Sequence, residues 1–203
     1  MTNSDLKQQT IITYNNSAKE LAEYFSGISG SRQKFMDKVF MISPKKNPKV
    51  LEIGCGDGRD AQYILQKTDS YEGFDLSEKM INLAKKRNLP GKFFVADLEK
   101  FCFKRKYDII FAMSSLLHSD RNVVEGVIKK AKQSLNENGL LAIDLKMATT
   151  YYKKVKKDKF GVRTFYYYPF ELINKYFKEY YRIVYHRRET IGTTKWLMMI
   201  GQK

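Results

Sequence analysis

The stretch Val50–Ala61, with the sequence VLEIGCGDGRDA, constrains the fold more than any other part of this 203-residue chain. A short apolar run leads directly into three glycines, and a helical pattern follows. Glycines let the backbone turn sharply, and a helix that begins there points its N-terminus at a bound ligand. In open α/β sheets, ligands bind beyond the carboxyl ends of the strands. We therefore expect a ligand site at this turn.

Short apolar runs of strand length alternate with helical patterns around this turn. The strand-like runs cover residues 49–53, 71–75, 92–96, 107–112 and 140–145, and the helical patterns cover about 58–67, 77–88 and 120–136. The segment Asn136–Gly139 is predicted to end a helix and turn into the next strand. This alternation predicts a mostly parallel sheet with helices on both faces.

The two ends of the chain follow different patterns. Residues 4–42 look helical, so we expect a helical cap over the strand ends. Residues 180–189 and 195–202 are predicted to be two strands with no helix between them. They should form an antiparallel hairpin at a sheet edge. The lysine-rich segment Lys153–Lys159 is interpreted as a short basic loop or helix surface.

The net charge of +15 is concentrated at the C-terminal end, where residues 151–203 hold 13 basic and 4 acidic side chains. Such a surface can attract nucleic acid, an acidic membrane or an anionic substrate, or can simply aid solubility. No apolar run is long enough for a membrane span, and no signal peptide is visible, so we expect a cytoplasmic protein. With only Cys55, Cys102 and two histidines, neither a disulfide framework nor a metal site is expected.

The glycine spacing separates two ligand classes. A dinucleotide-binding turn has the pattern G-x-G-x-x-G, which would require glycine where this chain has Arg59. The observed pattern is G-x-G-x-G. About twenty residues further on, Asp75 ends the second predicted strand, where a carboxylate can accept hydrogen bonds from ribose hydroxyls. Asp75 alone does not exclude NAD.

The G-x-G-x-G turn resembles motif I of class I S-adenosylmethionine (SAM) dependent methyltransferases. Agreement extends to GFDLS, ADLEKF, YDIIFAMSSLLHSD and LNENGLLAIDLK, at residues 73–77, 96–101, 107–120 and 135–146. The chain looks most like small bacterial enzymes of the tellurite-resistance and thiopurine types, with which it shares TYNNSA, GRDA and GVRTFYYY. The resemblance implies a Rossmann-like, doubly wound seven-stranded sheet, SAM as cofactor and S-adenosylhomocysteine as product. It does not identify the acceptor.

The resemblance also implies roles for individual residues. Asp97 would accept a hydrogen bond from the adenine amino group, and the backbone N–H of Leu98 would donate one to an adenine ring nitrogen. Met113 and Ser114 would pass beside the sulfonium. The expected cofactor-binding residues are Tyr14, Glu52, Gly54, Cys55, Gly56, Gly58, Asp75, Leu76, Met80, Asp97, Leu98, Met113 and Ser114.

Three of these residues have a second interpretation. Glu52 inside a central strand requires a partner, which is either Arg59 or the amino end of the ligand, and we favour the ligand. Met80 packs either on the adenine or in the core. Tyr14 either closes over the cofactor, as an early tyrosine does in the family, or is an ordinary aromatic residue of the cap.

Three residues are candidates for the acceptor side. His118 follows the fourth strand and is either a general base or a residue that fixes the loop. A base is not strictly required, because the sulfonium is already activated and positioning accelerates the transfer. Lys146 and Arg163 either bind an anionic acceptor or are solvated.

We expect one class I methyltransferase domain with a cap over residues 1–45, a SAM-binding core over 48–145 and a substrate-side segment with the closing hairpin over 146–203. The predicted activity is direct SN2 methyl transfer to oxygen, nitrogen or sulfur of a small molecule. An RNA methyltransferase, most plausibly acting on tRNA through the basic C-terminal part, is the first alternative. A non-catalytic SAM-binding protein is the second. The oligomeric state is left open.

Overall fold

The computed structural model describes residues 2–26, 30–101 and 105–203. The helices are α1 Asn3–Asn16, α2 Ala18–Ser26, α3 Gly30–Ile42, α4 Arg59–Ile64, α5 Glu78–Lys86, α6 Arg121–Ser134 and α7 Phe170–Tyr180. The strands are β1 Val50–Ile53, β2 Tyr71–Asp75, β3 Lys92–Val95, β4 Tyr107–Ala112, β5 Leu135–Lys146, β6 Tyr152–Asp158, β7 Gly161–Tyr167, β8 Arg182–Ile191 and β9 Thr194–Gln202. Cys102 lies outside the described residues.

Seven strands form one sheet in the order β3-β2-β1-β4-β5-β9-β8. Strands β1 to β5 are parallel, and β9 is antiparallel to both β5 and β8. The predicted Rossmann-like sheet and its C-terminal hairpin are therefore confirmed. The strand order reverses between β1 and β4, and this switch point is where open α/β sheets bind ligands.

Helices cover both faces of the sheet and bury two apolar clusters. On one face, Val127 of α6 and Phe177 of α7 pack with Ile110 of β4. On the other face, Val39 of α3 and Ile64 of α4 belong to the cluster on that side. All residues of β1 and β4 are buried, which is why their sequences are apolar without alternation. In the described residues, no helix combines the length and apolarity that crossing a membrane would require.

The N-terminal region was predicted to be helical, and α1, α2 and α3 occupy it, with α3 packed on one face of the sheet. Helix α1 is fastened to β7 by side-chain hydrogen bonds. The Thr13 hydroxyl donates to the carbonyl of Val162 at 2.7 Å, and the Thr10 hydroxyl accepts from the N–H of Thr164 at 3.0 Å. The cap and the β6–β7 pair are thus joined on the side of the sheet where the strands end.

Two local predictions were wrong. Lys153–Lys159 was interpreted as a loop or helix surface, but Tyr152–Asp158 is strand β6, paired with β7 in a separate antiparallel sheet. The side chains of this strand are exposed on both faces, so its sequence shows no alternation of apolar and polar residues. Pairing with β7, and not burial of one face, keeps the segment extended. Asn136–Gly139 was interpreted as a turn between helix and strand, but it lies inside β5, where Asn138 has a φ of 62° and the pairing with β4 shifts register. Helix α7 was not predicted.

Candidate active site

A cavity of about 980 Å³ lies over the carboxyl ends of β1 to β5, between the cap and the β6–β7 pair. This volume is at the upper end of the range for small-molecule sites, so the cavity has room for two ligands. The predicted residues that line it are Tyr14, Gly54, Cys55, Gly56, Asp75, Leu76, Met80, Asp97, Leu98, Met113, Ser114, His118, Lys146 and Arg163. Glu52 and Gly58 do not line it.

We divide the cavity into two ends. The glycine end comprises Gly54, Cys55, Gly56, Asp75 and Asp97, at the ends of β1, β2 and β3. The basic end comprises Lys146 at the end of β5, Lys156 of β6, Arg163 and Phe165 of β7, and Trp196 of β9.

Glycine is required at two positions of the turn for different reasons. Gly54 has a φ of 72°, and a Cβ there would lie 2.3 Å from Cβ of Ser115. Gly56 has a φ of 53°, and no atom lies within 4 Å of the position its Cβ would take. Gly54 thus allows β1 and the loop after β4 to approach, whereas Gly56 leaves its space open to the cavity.

The structure does not bring Gly58 to the predicted ligand contact. Gly58 precedes α4 with a φ of 77°, and a Cβ there would lie 3.1 Å from Cβ of Ala84 on α5. Its small size serves helix packing behind the turn. Cys55 lies within the turn and is buried, and burial raises the pKa of its thiol well above the ordinary value. Its contribution to the cavity is therefore not that of a thiolate.

Glu52 does not reach the ligand space that we favoured. Its side chain is buried below the turn and accepts a hydrogen bond from the Tyr71 hydroxyl at 2.5 Å. Burial, reinforced by the nearby Asp60 carboxylate, raises the pKa of Glu52 to about 8. The expected partner was Arg59 or a ligand, but a neighbouring tyrosine satisfies this carboxyl group instead.

Asp75 lies where the sequence places it, at the end of β2. One carboxylate oxygen accepts from the N–H of Ser77 at 2.8 Å, and the other accepts from the N–H of Gly56 at 3.0 Å. Burial raises the pKa of Asp75, although these backbone donors act in the opposite direction. The N–H of Leu76 is a third backbone donor to this carboxylate. A carboxylate has about four acceptor sites, so one remains for a ligand.

Asp97 lies two residues after the end of β3 and forms an ion pair with helix α1 of the cap. The ammonium of Lys7 on α1 lies 2.8 Å from one carboxylate oxygen of Asp97 and 2.6 Å from Glu99. Burial acts to raise the pKa of Asp97, but the Lys7 ammonium and the Glu99 N–H hold it below its ordinary value. Lys7 was not predicted, because a single lysine on a polar helix gives no sequence signal.

Met80 lies both in the core and at the wall of the cavity. It is buried in a small cluster with Ala18 and Leu21 of the cap, and it also lines the cavity. It therefore connects the cap to the glycine end.

The loop after β4 is held by a buried ionic network. Ser114 has a φ of 51°, and its N–H and hydroxyl both donate to the Asp144 carboxylate, the hydroxyl at 3.1 Å. The guanidinium of Arg32 on α3 lies 2.8 Å from Asp60 and 3.8 Å from Asp144. Arg32, Asp60 and Asp144 were not predicted. The acid inside a strand at Asp144 is the one signal that could have indicated this network.

His118 lies between the cap and β7. Its Nδ1 is 2.6 Å from the carbonyl oxygen of Thr164, and its Nε2 is 3.0 Å from the Tyr14 hydroxyl. Because a carbonyl only accepts, Nδ1 carries the proton and Tyr14 donates to Nε2. Burial, together with Arg163 and Lys146, lowers the pKa of His118 to about 4. The imidazole is therefore neutral at pH 7, and both nitrogens are already engaged.

At the basic end, cationic side chains lie against aromatic rings. The Lys146 ammonium lies 4.9 Å from the ring centre of Phe165, 5.0 Å from that of Trp196 and 5.7 Å from that of Tyr167. Arg163 is buried, pairs with Asp158 at 2.5 Å and lies over Phe165. Lys146 and Arg163 thus both lie over the ring of Phe165, although 17 positions separate them in the chain.

The site thus has a glycine turn after β1, a carboxylate at the end of β2 and another carboxylate two residues after β3, on a sheet whose last strand is reversed. Residues 50–139 match a family described as a methyltransferase domain. The chain is 35% identical over 104 residues to ubiquinone biosynthesis O-methyltransferase of Pelagibacter ubique (strain HTCC1062), with 49% of this chain and 42% of that protein covered. It is 28% identical over 100 residues to trans-aconitate 2-methyltransferase of Rhizobium etli (strain ATCC 51251 / DSM 11541 / JCM 21823 / NBRC 15573 / CFN 42), covering 48% and 38%.

A solved structure resembles the whole chain. It is the Burkholderia thailandensis 1,6-didemethyltoxoflavin-N1-methyltransferase with bound 1,6-didemethyltoxoflavin and S-adenosylhomocysteine, at a TM-score of 0.79 and 13% identity, covering 100% of this chain and 91% of that one. The likeness shows a shared fold. The chain spans less than half the length of the two curated relatives.

Proposed function

We propose that this chain is a SAM-dependent methyltransferase that acts on a small-molecule acceptor by direct SN2 transfer to oxygen, nitrogen or sulfur. The observation that carries the proposal is the arrangement of the glycine end. Two carboxylates, Asp75 at the end of β2 and Asp97 two residues after β3, face one cavity beside the open Gly56. The relatives are named for methyl transfer to small molecules, which supports the same activity.

The residues of the glycine end fit this cofactor. Asp75 keeps an acceptor site for a ribose hydroxyl, and Asp97 with Leu98 offers an acceptor and a backbone donor for adenine. The Ser115 hydroxyl is buried at the cavity wall and has no hydrogen-bond partner among the described residues, so it is available to a ligand. When bound, the cofactor supplies an electrophilic methyl group on a sulfonium.

We assign the remaining residues to positioning. The Asp144 network fixes Ser114 and Met113 beside the place where methyl transfer would occur. His118 accepts a hydrogen bond from the Tyr14 hydroxyl and donates one to the Thr164 carbonyl of β7, so it joins the cap to the β6–β7 pair. A base with a pKa of about 4 removes protons weakly at neutral pH, so we propose a positioning role for His118 in place of general base.

Other parts of the sequence interpretation belong to this proposal. They are the division into cap, core and substrate-side segment, the finer likeness to tellurite-resistance and thiopurine types, and the cytoplasmic location. An RNA acceptor is the alternative that one observation favours, since the lysines of β6 are exposed beside the cavity. A non-catalytic SAM-binding protein is the remaining alternative.

The test combines cofactor binding with transfer of a labelled methyl group. Calorimetry should detect SAM and S-adenosylhomocysteine binding and no NAD binding. Methyl-labelled SAM is then incubated with the protein and an extract of the source cell, and the label is sorted by fraction. Label in small molecules that nuclease does not remove is the expected result. Label lost on ribonuclease treatment would favour RNA, and cofactor binding without any transfer would favour the non-catalytic alternative.

A further inference from the structure

The basic end contains a cation without a matched acid. Elsewhere around the cavity, Lys7 is paired with Asp97, and Arg32 is paired with Asp60. No ion pair within 4 Å is found for Lys146 in the part of the chain that the structure describes. Its ammonium is surrounded by aromatic rings, and burial together with Lys156 and Arg163 lowers its pKa. A partly desolvated ammonium in this position is favourably placed for an anion.

Arg163 adds a second unsatisfied group. Its side chain is 5% exposed, and its Nε is buried without a hydrogen-bond partner among the described residues. The carboxylate of Asp158 lies 2.5 Å from Arg163 and 3.4 Å from Lys156. One acid thus faces two cations there, and Lys146 makes a third. The excess positive charge and the buried Nε both indicate a negatively charged ligand.

The aromatic rings restrict what the anion is attached to. Phe165 and Trp196 line the cavity next to Lys146. Trp196 is paired with Lys146 across the β5–β9 ladder, so its place beside the ammonium is fixed by strand register. Flat or apolar groups pack well on such rings, and a small hydrated ion does not. The ligand therefore combines an anionic group with an apolar body.

The imidazole and the two carboxylates that line the cavity after β4 and at the end of β5 are already engaged. Both nitrogens of His118 are engaged, Asp144 is held by Ser114 and Arg32, and Asp120 accepts from the first N–H groups of α6. An acceptor that must lose a proton during transfer fits this site poorly. An acceptor oxygen that is already ionised at neutral pH needs no base.

We propose that the acceptor is a carboxylic acid bound as its anion, with the carboxylate at Lys146 and Arg163, the apolar body on Phe165 and Trp196, and the methyl group accepted by a carboxylate oxygen. This inference rests on the proposed function. The carboxylate oxygen forms a bond to the methyl carbon while the sulfur–methyl bond breaks. The electron pair of that bond stays on sulfur, which becomes a neutral thioether, and no proton moves. The product is a neutral methyl ester, which lacks the charge that held the substrate.

Alkaline hydrolysis of the labelled product tests the inference directly. The full chain is incubated with methyl-labelled SAM and the small-molecule fraction of a source-cell extract, and the products are then treated with mild alkali. Carboxyl methyl esters release volatile labelled methanol, whereas methyl ethers, thioethers and amines are stable. Volatile label is expected. Alkali-stable label overturns the inference and leaves the proposed function intact, while the absence of both transfer and SAM binding rejects the proposed function itself.

Variants of Lys146 then test the contact. Lys146→Met should raise the acceptor KM by roughly 10- to 100-fold, because a hydrogen bond between charged groups is lost, with SAM affinity unchanged. Lys146→Arg should restore most of the binding. Lys154→Met, which removes an exposed lysine of the same basic region outside the cavity, is the matched control. Trp196 is the only tryptophan, so acceptor binding can be followed by its fluorescence. An unchanged KM in Lys146→Met contradicts the assignment.

Discussion

The glycine end and the basic end of the cavity differ in charge and in how their residues are positioned. At the glycine end, carboxylates lie at or just after the ends of consecutive parallel strands, and backbone N–H groups of the neighbouring turns hold Asp75 in place. At the basic end, Lys146 and Arg163 come from different sheets. They meet because α1 fastens β7 over the cavity and because the N–H of Tyr168, just after β7, donates to the carbonyl of Lys146 at 2.9 Å. The glycine end is a local product of strand–turn–helix units, whereas the basic end is a product of packing between distant segments.

The difference in charge between the two ends indicates which ligand each end suits. A sulfonium cofactor is cationic, and an acidic end suits it. An excess of cations at the other end suits an anion. A variant of a residue that belongs to one end should leave the other end unchanged, and an effect of such a variant on both ends would contradict this division.

The largest effect is expected for Gly54→Ala. The positive φ costs about 1–2 kcal/mol, and a Cβ 2.3 Å from Ser115 adds roughly 1–3 kcal/mol of overpacking. The thermal midpoint should fall by roughly 5–15 °C. Gly56→Ala is the comparison, because no atom lies near its Cβ, so it should lose SAM affinity with a much smaller fall in thermal midpoint. Equal destabilisation by both variants would refute the distinction.

The buried carboxyl group of Glu52, close to the glycine turn, should make the stability of the protein depend on pH. Its pKa is about 8 in the folded protein against an ordinary value of 4.5, so folding takes up a proton between these values and stability falls as pH rises through that window. In Glu52→Gln this loss, on the order of 3 kcal/mol, should disappear. Thermal midpoints at pH 5.5, 7.0 and 8.5 measure it. Parallel pH profiles for the two proteins would show that Glu52 is not the titrating group.

Asp75→Asn should separate the two ends. We expect SAM affinity to fall by roughly 10- to 100-fold, or about 1–3 kcal/mol, because ribose hydroxyls lose a charged acceptor. Binding of a carboxylate to the basic end, followed by Trp196 fluorescence, should not change. Asp69→Asn, at an exposed acid outside the cavity, is the control. Unchanged SAM affinity in Asp75→Asn would remove the cofactor from this position.

Tyr14→Phe should affect both ends, because Tyr14 lines the cavity and donates to His118. The variant leaves Nε2 of a buried imidazole without its donor, at a cost of about 1–2 kcal/mol. The thermal midpoint should fall by roughly 2–6 °C, and kcat/KM should fall as well. Tyr24→Phe, at an exposed cap tyrosine, provides the comparison. A Tyr14→Phe protein indistinguishable from wild type would exclude a positioning role for this pair.

The smallest effect is expected for Lys7→Met. This ion pair is partly exposed, so the free energy of unfolding should change by less than about 1 kcal/mol. SAM affinity should rise by about 2- to 5-fold, because Asp97 no longer has to exchange the ammonium for the adenine amino group. Calorimetry on Lys7→Met and on Lys19→Met, a variant of an exposed α2 lysine, measures the difference. Weaker binding would instead make Lys7 a ligand contact.

Much of the glycine end was predictable because its signals are local. Apolar runs, the glycine spacing and the acids at strand ends all follow from neighbouring positions, and parallel strands bring their carboxyl ends to one edge. The misplacement of Glu52 and Gly58 has the same origin, since pattern alone does not tell which side of a turn a residue faces. Tyr71 as partner of Glu52 and Ala84 as neighbour of Gly58 come from elements that no spacing rule connects to them.

The sequence by itself determined the positions of strands β1 to β5 along the chain, the closing hairpin and the position of the glycine turn, because hydrophobic periodicity and backbone freedom are properties of short segments. Only the tertiary structure decided that Lys153–Lys159 is a strand, that Lys7 faces Asp97 and that Arg32 joins Asp60 to Asp144. These contacts link residues from distant parts of the chain. Their formation depends on how the cap and the β6–β7 pair pack over the sheet, which no local pattern encodes.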